Sequence, residues 1–219
     1  MILAVFDLDG TLIDSRRDLV ESANEMLAGY GAPALADDHV VSMIGCGAAT
    51  LVRRVIAAAG LDAAHEDALE RFLIAYDARL TNHTRPYEGI IRALDELRSR
   101  DVSMALLTNK PLEQTLKILE VFGLSKYFRW VVGGDGPWPR KPAPDAMRFL
   151  MNQASAGPSE TILIGDSMVD LQTSRNAGVR VCLARYGFGY ADLAIDELWG
   201  TESLVDSPTE IAGLLRARR

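Results

Sequence analysis

The stretch that decides the fold is Ile2-Leu3-Ala4-Val5-Phe6-Asp7-Leu8-Asp9-Gly10-Thr11-Leu12. Its apolar start has no polar alternation, which is how strands covered on both faces of a parallel sheet read. Two carboxylates and a glycine end the run. In open α/β sheets ligands bind outside the C-terminal ends of the strands, so Asp7 and Asp9 stand where chemistry would be done. Carboxylates at i and i+2 can converge there, one as nucleophile and the other handling a proton. Asp and Gly are also ordinary turn formers, and this string alone leaves both readings open.

Similar apolar runs recur at Val102–Thr108, Trp130–Val132, Thr161–Gly165 and Val179–Leu183. Helical periodicity fills the gaps at Glu88–Ser99, Leu112–Phe122, Ala143–Asn152 and Ser167–Asn176. In the first of these, Ile90, Ile91, Leu94 and Leu97 fall on one stripe. Strands alternating with helices predict an α/β fold, a Rossmann-like parallel sheet with right-handed crossovers. Residues 15–82 break the alternation. They read as helices only, Arg16–Leu27, Asp38–Ile44, Ala48–Ala58 and Glu66–Leu80, punctuated by glycines and Pro33. The expected organisation is an α/β core of residues 1–14 and 83–219, with an inserted all-helical cap domain, 15–82, over the end of the first strand.

The chain has 219 residues, 48% of them hydrophobic, enough for a sizeable core. A net charge of −7 disfavours nucleic acid and anionic membrane as partners. It leaves an anionic small molecule open, because a local metal or lysine reverses the sign inside a pocket. Cys46 and Cys182 are far apart and form no CxxC, so no disulfide or zinc framework is expected. The apolar start stops at Asp7 with no basic segment before it, unlike a signal peptide or membrane span. A cytoplasmic location follows by elimination. Arg216-Ala217-Arg218-Arg219 reads as a solvated helix end.

Three more polar clusters fall at strand ends. Thr108-Asn109-Lys110 follows Val102–Leu107; the hydroxyl could hold a phosphoryl oxygen or merely cap the next helix. In Arg140-Lys141-Pro142-Ala143-Pro144 two prolines stiffen the chain around Lys141, which is otherwise a solvated loop cation. In Gly165-Asp166-Ser167-Met168-Val169-Asp170 the two carboxylates share a face if a helix starts there. They suit Mg²⁺, or serve the helix start as a cap and a first-turn acid.

Together, Asp7-x-Asp9-Gly10-Thr11, Thr108, Lys141 and Gly165-Asp166-x-x-x-Asp170 resemble the four motifs of the haloacid dehalogenase superfamily, and the insert resembles its helical cap. The resemblance implies a Mg²⁺-dependent phosphatase acting on a small phosphorylated metabolite. It implies Asp7 as the nucleophile that becomes an aspartyl-phosphate, and Asp9 as general acid, then base, with its carbonyl on Mg²⁺. Thr108 would bind the phosphoryl group, Lys141 would neutralise charge, Asp166 would ligate Mg²⁺, and Asp170 would support Lys141 or the metal's waters.

Within that superfamily, dehalogenases lack the second Asp and use no metal. Phosphonatases need a cap lysine, yet the lysines here are Lys110, Lys117, Lys126 and Lys141, none in the insert. Sugar-phosphate mutases carry a His in the first cap helix; His39, His65 and His83 fall elsewhere and read as surface residues. The strings Leu107-Thr108-Asn109-Lys110-Pro111, Met43-Ile44-Gly45-Cys46-Gly47-Ala48 and Gly133-Gly134-Asp135 resemble the phosphoglycolate phosphatase branch. That implies 2-phosphoglycolate as substrate, with Gly10, Gly47, Thr108, Asn109 and Arg53 as candidate binding residues. Arg54 is an alternative to Arg53, and both suit a solvated helix face. Sugar phosphates, nucleotides, pyrophosphate, or a catalytically silent phosphate-binding role are the alternative functions. The protein is expected to be a monomer or homodimer.

Overall fold

The protein is represented by a computed structural model that describes residues 2–61, 66–193 and 195–215. His65 and the Arg216–Arg219 run lie outside the described residues. Strand β1 (Leu3–Phe6) is fully buried. It is followed by β2 (Ile13–Asp14), α1 (Arg16–Gly29), α2 (Asp37–Val41), α3 (Ala48–Ala58), α4 (Ala68–Arg79) and β3 (Arg85–Pro86). Then come α5 (Ile90–Ser99), β4 (Ser103–Leu107), α6 (Leu112–Val121), β5 (Trp130–Val132), α7 (Asp145–Ala154) and β6 (Thr161–Gly165). The chain continues through α8 (Met168–Ala177), β7 (Arg180–Ala184), β8 (Ser203–Val205) and the short α9 (Ile211–Leu214).

Six strands form one parallel sheet in the order β5-β4-β1-β6-β7-β8. The side-chain period of two explains its two cores. Ala4, Phe6, Leu106 and Ile164 pack on one face with Leu94 of α5 and Ile118 of α6. Leu3, Val5, Leu107 and Leu163 pack on the other with Met147, Leu150 and Met151 of α7. Burial on both faces is why these strands show no alternation in the sequence. The register pairs Phe6 with Leu106 on one side and Ile164 on the other. The residues just beyond β1, β4 and β6 are therefore neighbours at one edge, which brings three of the four polar clusters side by side.

Residues 16–79 are helical as the sequence predicts, with no strand among the described ones. Helix α2 stops at Val41, short of the expected Ile44. The chain instead turns through Gly45 (φ +110°) and Gly47 (φ +85°), conformations that L side chains resist. Three short strands were not anticipated. β8 is a short edge strand of mixed polarity beside β7. β2 and β3 form an antiparallel pair, Ile13 with Pro86 and Asp14 with Arg85, where the chain enters and leaves the helical block. Two-residue strands carry no readable period. The exit is tied down by Asp18 of α1, which is fully buried. Its carboxylate accepts from His83 N (3.0 Å), Thr84 N (2.7 Å) and Thr84 Oγ1 (2.7 Å). His39 and His83 are exposed, and both cysteines are free thiols. Among the described residues no helix is long and apolar enough to cross a membrane.

Candidate active site

Asp7 leaves β1 with its N–H still in the ladder, donating to Ile164 O at 2.9 Å. Its side chain meets the Lys141 ammonium at 2.9 Å (Oδ1), and the same ammonium reaches Asp170 Oδ1 at 2.6 Å. The Lys141 side chain is 2% exposed. Asp170 lies in the first turn of α8. Its second oxygen accepts from Ser167 N (3.1 Å) and Ser167 Oγ (2.5 Å); the first of these bonds, with Asp170 N donating to Ser167 Oγ at 3.4 Å, makes a capping box. The cap of this helix is Ser167 rather than an aspartate, and Asp170, the first-turn acid, both closes the capping box and pairs with the Lys141 ammonium. Gly165 leaves room for it, since a Cβ there would fall 2.2 Å from Asp170 Cγ.

Asp166 is buried beside them. Oδ1 accepts from Thr11 Oγ1 (3.3 Å) and Oδ2 from Gly189 N (2.7 Å). A Cβ on Gly10, whose φ is +84°, would sit 1.9 Å from Asp166 Oδ2; one on Gly187 would sit 2.3 Å from Asp166 Cβ. Two glycines therefore let the backbone close around this carboxylate. Gly10 touches Asp166 rather than the cavity wall. The Gly187-Phe188-Gly189 segment after β7 was missed by the sequence reading. Its signal was the pair of glycines just past a strand end.

Carboxylate oxygens of Asp7, Asp166 and Asp170 lie within 4.8 Å of one another. Lys141 is the ammonium that pairs with two of them. Burial drives the Asp7 carboxyl upward, Lys141 pulls it back and Asp170 pushes it up again, leaving it at about 7. Burial, then the charges of Asp170 and Asp7, hold Asp166 well above the usual carboxylate range. Burial pushes the Lys141 pKa down, but the charges of Asp170 and Asp7 outweigh that effect and raise it. Three buried carboxyl groups share one ammonium, which is why two of them are pushed upward, and a divalent cation would compensate the charge they carry when ionised. Hard oxygen donors are the set such a cation takes.

Asp9 points to a second lysine. Lys110 Nζ lies 2.8 Å from both of its oxygens, and Ser15 Oγ donates to Oδ1 at 2.5 Å. The ammonium also stands 4.7 Å from the centre of the Tyr76 ring, which comes from α4 in the helical block. Thr108 is 3% exposed, and its Oγ1 accepts from Lys110 N at 3.2 Å. Asn109 spans the two halves of the molecule: its amide donates to Gly45 O (3.1 Å) and to Lys141 O (3.0 Å).

A cavity of about 340 Å³ lies between the strand ends and the helical block. Asp7, Asp9, Thr108, Asn109, Lys110 and Asp166 line its floor, and Gly47, Arg54, Phe72 and Tyr76 line its roof. Gly47 is close-packed there, because a Cβ would stand 3.0 Å from Asn109 O. Of the two candidate arginines it is Arg54 that reaches the wall, its guanidinium donating to Met43 O at 3.0 Å. Arg53 is exposed and lies away from the cavity.

An α/β sheet with paired aspartates, a lysine and a further aspartate at its strand ends defines a class of hydrolases. The sequence matches the family described as haloacid dehalogenase-like hydrolase over residues 4–184, and the chain belongs to that family. Phosphoglycolate phosphatase 1 of Pseudomonas aeruginosa is 36% identical, over 95% of this chain and 81% of that protein. The plasmid-encoded phosphoglycolate phosphatase of Cupriavidus necator is 37% identical over 98% of this chain and 93% of its own. A crystal structure described as a predicted phosphoglycolate phosphatase from Haemophilus somnus superposes with a TM-score of 0.91 at 28% identity. That match covers 98% of this chain and 97% of the other.

Proposed function

We propose that this protein is a Mg²⁺-dependent phosphatase that hydrolyses a small phosphomonoester, 2-phosphoglycolate, through an aspartyl-phosphate on Asp7. The observation that carries the reading is the Lys141 ammonium fixed 2.9 Å from Asp7 Oδ1 at the exit of β1, with Asp166 alongside. Carboxylate attack on phosphate is a meeting of anions, and fixed positive charge is what makes it feasible. The curated relatives that share most of this chain support the substrate.

In this mechanism Asp7 Oδ attacks phosphorus and the ester P–O bond breaks. Asp9 gives its proton to the departing oxygen, then takes one from the water that attacks the aspartyl-phosphate. Inorganic phosphate leaves and Asp7 is regenerated. The Thr108 hydroxyl donates to a phosphoryl oxygen, and Lys141, held by Asp170, neutralises charge between nucleophile and phosphate. Asp7, Asp166 and the Asp9 carbonyl would hold Mg²⁺, whose charge stabilises the phosphoryl oxygens when it is bound. Residues 15–82 act as a cap that excludes water from the cavity. A cytoplasmic location and a monomer or homodimer complete the proposal.

The test is phosphate release from a panel of 2-phosphoglycolate, hexose phosphates, nucleotides and pyrophosphate with Mg²⁺, using Asp7→Asn as the blank. The highest kcat/KM is expected on 2-phosphoglycolate. Preference for a hexose phosphate or nucleotide would overturn the substrate, and turnover by Asp7→Asn would overturn the mechanism.

A further inference from the structure

Lys110 is not required by the phosphoryl chemistry, yet it is one of the most deeply placed charges in the molecule. Its side chain is 4% exposed, on the floor of the cavity, with the ammonium between the Asp9 carboxylate and the face of the Tyr76 ring. The Tyr76 hydroxyl is buried beside the Lys110 ammonium, and among the described residues it has no acceptor for its O–H, although the residue lines the same cavity. A buried hydroxyl left without an acceptor is costly, so this one awaits an acceptor. A phenol hydroxyl is protonated at neutral pH, so it is present there as a donor.

A cation and an orphan donor thus converge on one side of the cavity, one from the core after β4 and the other from α4. Lys141 and the acidic cluster occupy the phosphoryl side. An ammonium carries three N–H donors and a tyrosine one. Asp9 takes part of the ammonium's capacity, and the remaining N–H together with the Tyr76 hydroxyl suits a small planar anion, which a substrate with a carboxylate beside its ester carbon would present there.

We propose that Lys110 and Tyr76 form the subsite that reads the carboxylate of the substrate, with Lys110 as the specificity-determining cation. The inference rests on the phosphatase reading and deepens it by assigning the residues that select a carboxylated phosphomonoester over a neutral one. Because one partner lies in the core and the other in the helical block, a carboxylate held here ties the two together. A neutral ester leaves the Tyr76 hydroxyl without an acceptor and earns no such bridge.

The experiment compares kcat/KM for 2-phosphoglycolate and ethyl phosphate, which has the same carbon count and no carboxylate, in the full chain with saturating Mg²⁺. Wild type, Lys110→Met, Tyr76→Phe and Arg54→Gln are compared, with thermal melts to confirm folding. Lys110→Met is expected to lower the 2-phosphoglycolate to ethyl phosphate ratio by about 30-fold, the scale of one charge-assisted hydrogen bond. Tyr76→Phe, which removes one oxygen, is expected to lower it by about 5-fold. If Lys110 only supports Asp9, both substrates fall by the same factor and the ratio holds, which overturns the proposal. A ratio lost in Arg54→Gln but kept in Lys110→Met also overturns it and puts the carboxylate at the cavity mouth. A wild type with no preference for the carboxylated ester defeats the substrate reading along with this one, whereas a preference that survives Lys110→Met defeats this one alone.

Discussion

Replacing Lys141 by Met tests the electrostatic frame of the site. The ammonium is nearly inaccessible and bonds Asp7 at 2.9 Å and Asp170 at 2.6 Å. Met keeps the length of the chain and removes the charge, so the cost is that of leaving two buried carboxylates unpaired. Breaking a buried ion pair from one side costs about 3–5 kcal/mol, and about 4 kcal/mol is expected here at pH 8 without metal. The deficit should depend on pH. Burial already raises Asp7 to about 7, and loss of Lys141 raises it further. A carboxyl whose pKa is higher in the folded than in the unfolded chain stabilises below the unfolded value of 3.8, and that contribution is lost as pH rises through the folded value. The variant's deficit therefore grows from acid to alkaline pH, at about 1.4 kcal/mol per unit where one extra proton is held. Urea unfolding of wild type and variant at pH 5.5 and pH 8, in EDTA, measures it. Adding Asp170→Asn to Lys141→Met should recover at least about 1 kcal/mol at pH 8, because it removes one of the stranded charges. A deficit under about 1 kcal/mol at pH 8, or one equal at both pH values, would refute the reasoning.

Other perturbations probe separate parts. In EDTA the wild type should lose stability between pH 5 and pH 8 as Asp7, raised to about 7, ionises against its neighbours. Mg²⁺ should raise the melting temperature more at pH 8 than at pH 5.5, and an equal rise by calorimetry would count against the acidic cluster as its site. Gly10→Ala puts a Cβ 1.9 Å from Asp166 Oδ2 at a φ of +84°; kcat should fall about 100-fold, with a displaced Asp166 as the structural readout. Asp18→Ala strands the buried N–H and hydroxyl of Thr84 and should cost about 3 kcal/mol in urea unfolding. A loss under about 1 kcal/mol would mean that water replaces the carboxylate.

The carboxyl residues at the ends of the parallel strands are legible in the sequence. β1, β5 and β6 lie within one residue of their sequence-predicted bounds, because strands buried on both faces must be uninterrupted apolar runs. The helical insert was legible for a similar reason, as α3 occupies the residues its pattern marks. β2, β3 and β8 were not, since two or three residues establish no period. Arg53 and Arg54 are adjacent in sequence and equal in charge, so only the rotation of α3 against the core distinguishes the wall residue from the solvated one.

By itself the sequence determined the alternation of strand and helix, the run of helices between β2 and β3, and the chemical types that gather at the strand ends. These follow from local periodicity and residue identity. Only the tertiary structure decided which charges meet: Lys141 with Asp7 and Asp170, Lys110 with Asp9, and Tyr76 over the latter pair. Such pairings join residues far apart in the chain. They are fixed by sheet order and by how the helical block seats on the core, and neither is written in any local pattern.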